Sequence, residues 1–177
     1  MVARQPQRAE ITVPHANDYH RLSCWQLSFA CKSQFRARLI WLSGKQGLAL
    51  PGVGPGSWDK LLKAQRISNL LDWLELTGEQ LASTQGFTSR GAEQLKQSLH
   101  MARQRPFRTW LRAMGLPPCG AAKLADNWAA LAQRDLTQWQ AEPGINLARA
   151  QALQAFFRQP EVLALRAQLQ LVGVAGF

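Results

Sequence analysis
Residues 50–62, LPGVGPGSWDKLL, place an apolar residue between two turn formers directly ahead of a helical pattern. Pro51-Gly52 turns the chain, because glycine takes backbone conformations that a Cβ forbids. Val53 pins that turn to a core. Gly54, Pro55 and Gly56 then open a helix whose unsatisfied N–H groups and positive dipole end suit an anion. The same form returns in Gln85–Leu99, QGFTSRGAEQLKQSL, and in Glu142–Phe157, EPGINLARAQALQAFF. A weaker copy, PPCGAAKLADNW, covers Pro117–Trp128, with Pro118 where glycine is expected. Each copy reads as a helix, a tight turn and a second helix.

One such turn is as often a plain corner between helices, since glycine punctuates turns everywhere. Repetition is the stronger signal. Gly52, Gly86 and Gly144 are each followed by an apolar residue (Val53, Phe87, Ile145) and then by a helix of similar pattern. Ala92 and Ala150 both fall six positions after that glycine, where a small residue lets two helices approach closely. The first copy has Trp58 there, which weakens the match or implies a more open packing. Because Trp58 opens the helix after the turn, it is also the one tryptophan expected to face outward, against the sugar of a phosphate-bearing ligand.

The 177 residues suffice for one compact domain and an appendage. No apolar run approaches the roughly 18 residues of a membrane span. The opening MVARQPQRAEITV lacks the apolar stretch of a secretory signal. The expectation is a cytoplasmic protein whose three cysteines stay as thiols. The net charge is +10 and uneven: six Lys/Arg against two Asp/Glu in residues 1–44, ten against five in 45–114, five against four in 115–177. A basic chain with phosphate-type turns points to nucleic acid rather than to an acidic small molecule.

The turn residues define the elements around them. Residues 1–22 show no helical period and are expected to be loosely held, with Ala9–Val13 readable as a short strand confined by Pro6 and Pro14. From Ser33 the pattern is helical, with Phe35, Leu39 and Leu42 on one face. Ser57–Ala64 and Ile67–Leu76 read as helices, with Leu61, Leu62, Leu70, Leu71 and Leu74 inward. Arg90–Gln104 leaves the second turn, Pro106 suits the N1 position of a helix over Phe107–Met114, Asp135 reads as an N-cap, and Pro160 starts a last helix to about Leu171. The fold class is all-α: an irregular segment over 1–32 and one compact domain over 33–177. Trp41, Trp73, Trp110, Trp128 and Trp139 share helix positions with Leu or Ala and are expected in the core.

Four such units in tandem resemble the C-terminal helix-hairpin-helix domain of bacterial NAD-dependent DNA ligases. RQRPFRTWLRAMGLPPCG (Arg103–Gly120) is similar to the junction between that domain's second and third units, and Phe156-Phe157 after GINLARAQAL is similar to the end of its fourth. Cys24 and Cys31-Lys-Ser-Gln34-Phe resemble the second half of the family's four-cysteine zinc module. The divergent module and the lack of a BRCT-like extension resemble the shorter, B-type subgroup. The resemblance implies a non-catalytic part of a nick-joining enzyme of DNA replication and repair, acting in the bacterial cytoplasm at the nucleoid.

The family's nucleophile is a Lys-x-Asp-Gly lysine, and no lysine here has that context: Lys45, Lys60, Lys63, Lys96 and Lys123 all lack it. Covalent ligation needs an activated lysine amine, so no ligase activity is expected of this chain alone. NAD would belong to a separate catalytic core, which is one expected partner. The chain is then a truncated gene product or a fragment, and no cofactor is assigned to it. A Cys/His zinc site would draw on Cys24, Cys31, His15 and His20; the favoured alternative is a metal-free segment with both cysteines buried as apolar side chains. Cys119 takes the apolar position of the third turn and reads as a packing residue.

Double-stranded or nicked DNA is the expected partner, held by the backbone and blind to sequence. The DNA-binding set is Gly52, Val53, Gly54 and Gly56 of the first turn with Lys60; Gly86, Thr88, Ser89 and Arg90 of the second; Gly120 of the third, which serves packing more than DNA; and Gly144, Asn146 and Arg149 of the fourth. Arg105 and Arg108 belong to the densest basic run, whose other reading is a solvated helix face. About six neutralised phosphates predict a roughly thousandfold loss of affinity between about 50 and 200 mM salt. Two other classes compete. A helix-hairpin-helix glycosylase would need a catalytic Asp in a Gly/Pro-rich stretch, and the nearest, Asp72, sits in a leucine-rich one. A helical module that docks a protein without binding DNA would lack the steep salt dependence.

Overall fold
A computed structural model describes residues 24–177; the strand reading of Ala9–Val13 and both His15 and His20 lie outside them. Helix α1 (Lys32–Ser43) buries Phe35, Leu39 and Leu42, the face its period predicts. Helix α2 (Pro55–Lys63) starts on a proline, whose fixed φ is preset for a first helical position. It packs on α1, and Trp58 and Leu61 are its buried residues. Trp58 is completely enclosed. Its indole N–H donates to the Ser43 hydroxyl at 3.0 Å, which in turn donates to the Leu39 carbonyl at 3.0 Å. The expectation that Trp58 faces DNA is therefore corrected: a fully buried indole with its donor satisfied is core.

Trp58, Trp73 and Trp110 form one aromatic stack, with centroids 5.9 Å and 6.3 Å apart in turn. Each remaining indole N–H finds a carbonyl, Leu70 for Trp73 at 2.7 Å and Ala102 for Trp110 at 2.9 Å. Matching that donor removes most of the cost of burying an indole. Trp128 and Trp139 are buried as expected, while Trp41 is only half-buried.

The helix expected over Ile67–Leu76 does not form; only a 3-10 turn, Asp72–Glu75, is present. The Asp72 carboxylate accepts from the Ser68 N–H, the Ser68 hydroxyl and the Asn69 N–H at 2.8–3.0 Å. The Leu70 N–H goes to the Trp25 carbonyl, and the Ser68 carbonyl accepts from the Leu27 N–H. A helix would need the Leu70 N–H and the Ser68 carbonyl for its i→i−4 ladder, and both are bonded to residues 25 and 27 instead. The same bonds hold residues 24–27 against the domain, where Cys24 and Trp25 are buried. Cys24 and Cys31 are joined in a disulfide, which corrects the expectation of three thiols; Cys119 is the free one.

Helix α3 (Gly78–Ala82) opens on a capping box between Thr77 and Gln80 and packs on α4 (Ser89–Met101), which Thr88 caps. A 3-10 turn, Ala102–Gln104, extends α4. Pro106 is the N-cap, one position before the expected N1, of α5 (Phe107–Ala113). Helix α6 (Trp128–Ala132) is capped by Asn127. Helix α7 (Leu136–Gln140) has the Asp135 cap that the sequence predicts, in a capping box with Gln138. Helix α8 (Leu147–Arg158) is capped by Asn146, and α9 (Pro160–Leu171) starts at Pro160 as expected. Helix α8 packs on α6, α7 and α9. No named strand occurs among the described residues, whose only strand-like feature is an isolated bridge between Gln26 and Asn69. The chain is all-α. No described helix is long and apolar enough to cross a membrane.

Candidate nucleic-acid interface
Three turns repeat one geometry residue for residue. The N–H groups of Val53, Phe87 and Ile145 donate to the carbonyls of Leu50, Thr84 and Glu142 at 3.3–3.4 Å. The third residue of each turn is Gly52, Gly86 or Gly144, at φ +69°, +98° and +76°. That is the left-handed region a glycine enters without penalty, as a type II turn requires. Gly54, Thr88 and Asn146 follow as extended N-caps, and the helix starts at Pro55, Ser89 or Leu147. Val53 and Ile145 are buried and Phe87 is partly so. Val53 thus belongs to the turn's anchor, since its side chain faces the core and its N–H is already bonded.

Six positions after the turn glycine, Trp58, Ala92 and Ala150 are all buried. Five positions after it, side chains at two turns reach back to the glycine carbonyl: Ser57 Oγ to Gly52 at 3.4 Å and Arg149 Nη1 to Gly144 at 2.8 Å. In the second turn that position is Gly91, whose N–H donates to the Thr88 hydroxyl. The Arg149 N–H likewise donates to Asn146 Oδ1. Caps therefore occupy one donor of α4 and α8, while α2 has no side-chain cap at all. A Cβ built on Gly52, Gly54, Gly56 or Gly144 would meet nothing within 4 Å. The first and fourth turns are open to approach from outside.

The first two turns interlock. Ser98 on α4 donates its hydroxyl to the Pro51 carbonyl of the first turn. Lys60 on α2 lays its stem across Gly86, 3.2 Å from where a Cβ would sit, and holds its ammonium 5.1 Å from the centroid of the Phe87 ring. Each turn rests on the helix that follows the other. Nothing in the sequence marks Ser98 for this contact, since it is one polar residue between Leu95 and Leu99.

The third copy departs from the pattern. Pro118 cannot enter the left-handed region, so Gly120 takes it instead, at φ +50°, and the Ala122 N–H closes a shifted turn on the Cys119 carbonyl at 3.0 Å. No helix follows until α6. Residues 121–127 are held instead by Arg108 to the Leu124 carbonyl, Arg134 to the Lys123 carbonyl and the Lys123 N–H to Glu142. The shortened helix expected after Gly120 is absent, and Gly120 has no helix N-terminus to present. Cys119 is partly buried, and that burial pushes its thiol pKa up.

The basic run is spent largely inside the chain. Arg105 donates to the carbonyls of Leu48 and Ala49 at 2.8 and 2.9 Å, Arg103 to Leu74 at 2.6 Å, and Arg108 pairs with Asp126 at 3.2 Å besides holding Leu124. The Arg36 guanidinium, 2.6 Å from Asp59, holds that carboxyl below the usual carboxylate range. Arg90, in the first turn of α4, is exposed and pairs with no acid among the described residues.

These features define a class first: an all-α chain of helix pairs whose glycine turns recur at one register. No family model matches the chain. Over all 177 residues it is 58% identical to DNA ligase B of Pseudomonas fluorescens (strain Pf0-1), of which it covers 32%. It is 42% identical to DNA ligase B of Pseudomonas putida (strain W619), covering 31%. The whole chain thus matches part of a DNA ligase B and spans about a third of the length of these relatives.

Proposed function
We propose that this chain is a helix-hairpin-helix module that binds duplex or nicked DNA through its phosphates, without reading sequence, for a ligase catalytic core that it does not contain. The observation that carries this is the residue-for-residue repeat of the Gly52, Gly86 and Gly144 turns, each leading into a helix N-terminus. Such a terminus offers backbone N–H groups and a positive dipole end to an anion. The first and fourth turns are the open ones. The second contributes Ser89 and Arg90, with Lys60 lying between it and the first. The DNA ligase B relatives support the reading, as does the net charge of +10.

Arg105 and Arg108 drop out of the proposed contact set because they hold carbonyls of the chain itself. Lys60, Lys63 and Arg90 remain behind the first two turns, which lowers the expected salt dependence. Three neutralised phosphates give a slope near −2.7, or roughly a fortyfold loss between about 50 and 200 mM salt. Fluorescence anisotropy with two short duplexes of unrelated sequence tests this. Equal affinities that fall steeply with salt uphold it; binding to only one duplex, or none at low salt, overturns it.

A further inference from the structure
We propose that a cleft between α4 and the 3-10 turn Asp72–Glu75 is a separate phosphate-binding site. The cavity is about 150 Å³ and is rimmed by Lys96, His100 and Arg103, with Trp73 and Leu99 as its apolar floor and Glu75 opposite. Spacings of four and three residues set Lys96 and His100 on α4, and Arg103 on the 3-10 turn that extends it, around the same cavity. They lie about half a turn around the helix from Ser98, which faces the first glycine turn. The site therefore stands whether or not the glycine turns bind DNA.

Arg103 and Lys96 are positioned without being neutralised. Arg103 gives one Nη to the Leu74 carbonyl at 2.6 Å. That bond fixes a planar fork which carries five N–H donors in all. The Lys96 stem lies over Gly78, 3.2 Å from where a Cβ would sit, so the glycine makes room for it. His100 is exposed between them. None of the three is ion-paired with an acid among the described residues. Two cations against Glu75 leave the rim positive even with a neutral imidazole. Trp73 and Leu99 beneath it are buried and give the cavity a packed base. A carboxylate would be satisfied by the arginine fork alone, whereas three donor groups around one small cavity suit a tetrahedral oxyanion with more acceptors and more charge. The phosphate is either free in solution or part of a DNA strand.

Imidazole NMR of His100 during titration with inorganic phosphate, at ionic strength held constant with chloride, tests the site. A saturable shift is expected. Lys96→Gln, which removes a charge-assisted hydrogen bond, should weaken it about tenfold, and Lys96→Arg should keep it. A shift that never saturates, or one that saturates equally in Lys96→Gln, overturns the proposal. Adding duplex DNA to the phosphate-loaded protein assigns the source: displacement of the ion means a strand phosphate and simultaneous binding means a free one, and either upholds the site. Far-UV circular dichroism of both variants should match the parent, because Lys96 is exposed.

Discussion
Gly54 and Gly56 allow the proposed phosphate contact of the first turn to be tested with little change to the fold. Gly54 sits at φ −139° and ψ −172°, extended backbone that valine adopts readily, and a Cβ there meets nothing within 4 Å. Gly56 is the second residue of α2, and its Cβ position is equally open. Gly54→Val should cost up to about 1 kcal/mol, because Gly54 is the N-cap of α2 and valine caps poorly. Gly56→Ala should raise it by up to about 1 kcal/mol through helix propensity. Gly52 and Gly144 are poor probes by comparison, because a side chain at their positive φ costs about 1–2 kcal/mol whatever the ligand.

The effect on binding should be larger than the net effect on stability. A phosphate oxygen must come within about 3 Å of an N–H donor, and added methyl groups occupy the space through which it approaches. Losing one hydrogen bond to a charged group is worth about 1.5–3 kcal/mol, which is tenfold or more in affinity. The double variant Gly54→Val/Gly56→Ala should therefore melt close to the parent, the poorer cap offset by the better helix former, and bind a short duplex at least about tenfold more weakly at low salt. Anisotropy titrations and thermal melting on the same samples decide it. A variant that melts normally and binds as tightly as the parent would show that the first turn is only a corner.

The remaining expectations concern fold and chemistry. Gly176→Ala should cost about 2 kcal/mol or more in chemical denaturation, because φ is +94° and the Cβ would lie 2.7 Å from the Phe107 ring and 2.8 Å from the Asp126 carbonyl; Gly173→Ala, at φ +79° in open space, should cost less. Thiol titration of unreduced protein should find Cys119 alone, reacting slowly at neutral pH because burial raises its pKa, and three thiols only after reduction and unfolding. Chain incubated with NAD and nicked DNA should carry no AMP that survives denaturation; an adduct would demand a nucleophile outside any Lys-x-Asp-Gly context.

What could be read from the residues was local. The inward face of α1, the Asp135 cap, the Pro160 start and the positive-φ glycines all follow from a few neighbouring side chains. The errors arose where distant groups compete. The leucine period over 67–76 looks helical, yet Trp25 takes the Leu70 N–H and Leu27 takes the Ser68 carbonyl that an i→i−4 ladder would use. Trp58 follows a turn and reads as exposed, until Ser43 on α1 supplies the acceptor that lets its indole be buried. The helix expected after Gly120 fails for a reason partly visible in Pro118, which moves the left-handed residue two positions along. The interlock of Lys60 with Gly86 and Phe87, and of Ser98 with Pro51, has no sequence mark. It depends on how two units of the same form face each other.

The basic run shows why charge alone overstates the interface. Arg105 lies 57 residues from Leu48, whose carbonyl it holds. Those acceptors sit on loops with no ladder partner of their own, and a guanidinium with several donors in one plane can satisfy two at once. Arg105 does so for Leu48 and Ala49, and Arg108 holds Leu124 while pairing with Asp126. An arginine engaged in this way must break bonds to the chain before it can reach a strand, and breaking them frees a loop. Removing it should therefore act on stability before it acts on affinity. Lys63 and Arg90 carry no such duty, and Lys60 gives its ammonium only to the face of Phe87. On this reasoning the electrostatic part of the proposed binding would belong to the first two units, which carry a larger charge excess than residues 115–177, and the fourth turn would contribute backbone donors with little charge behind them.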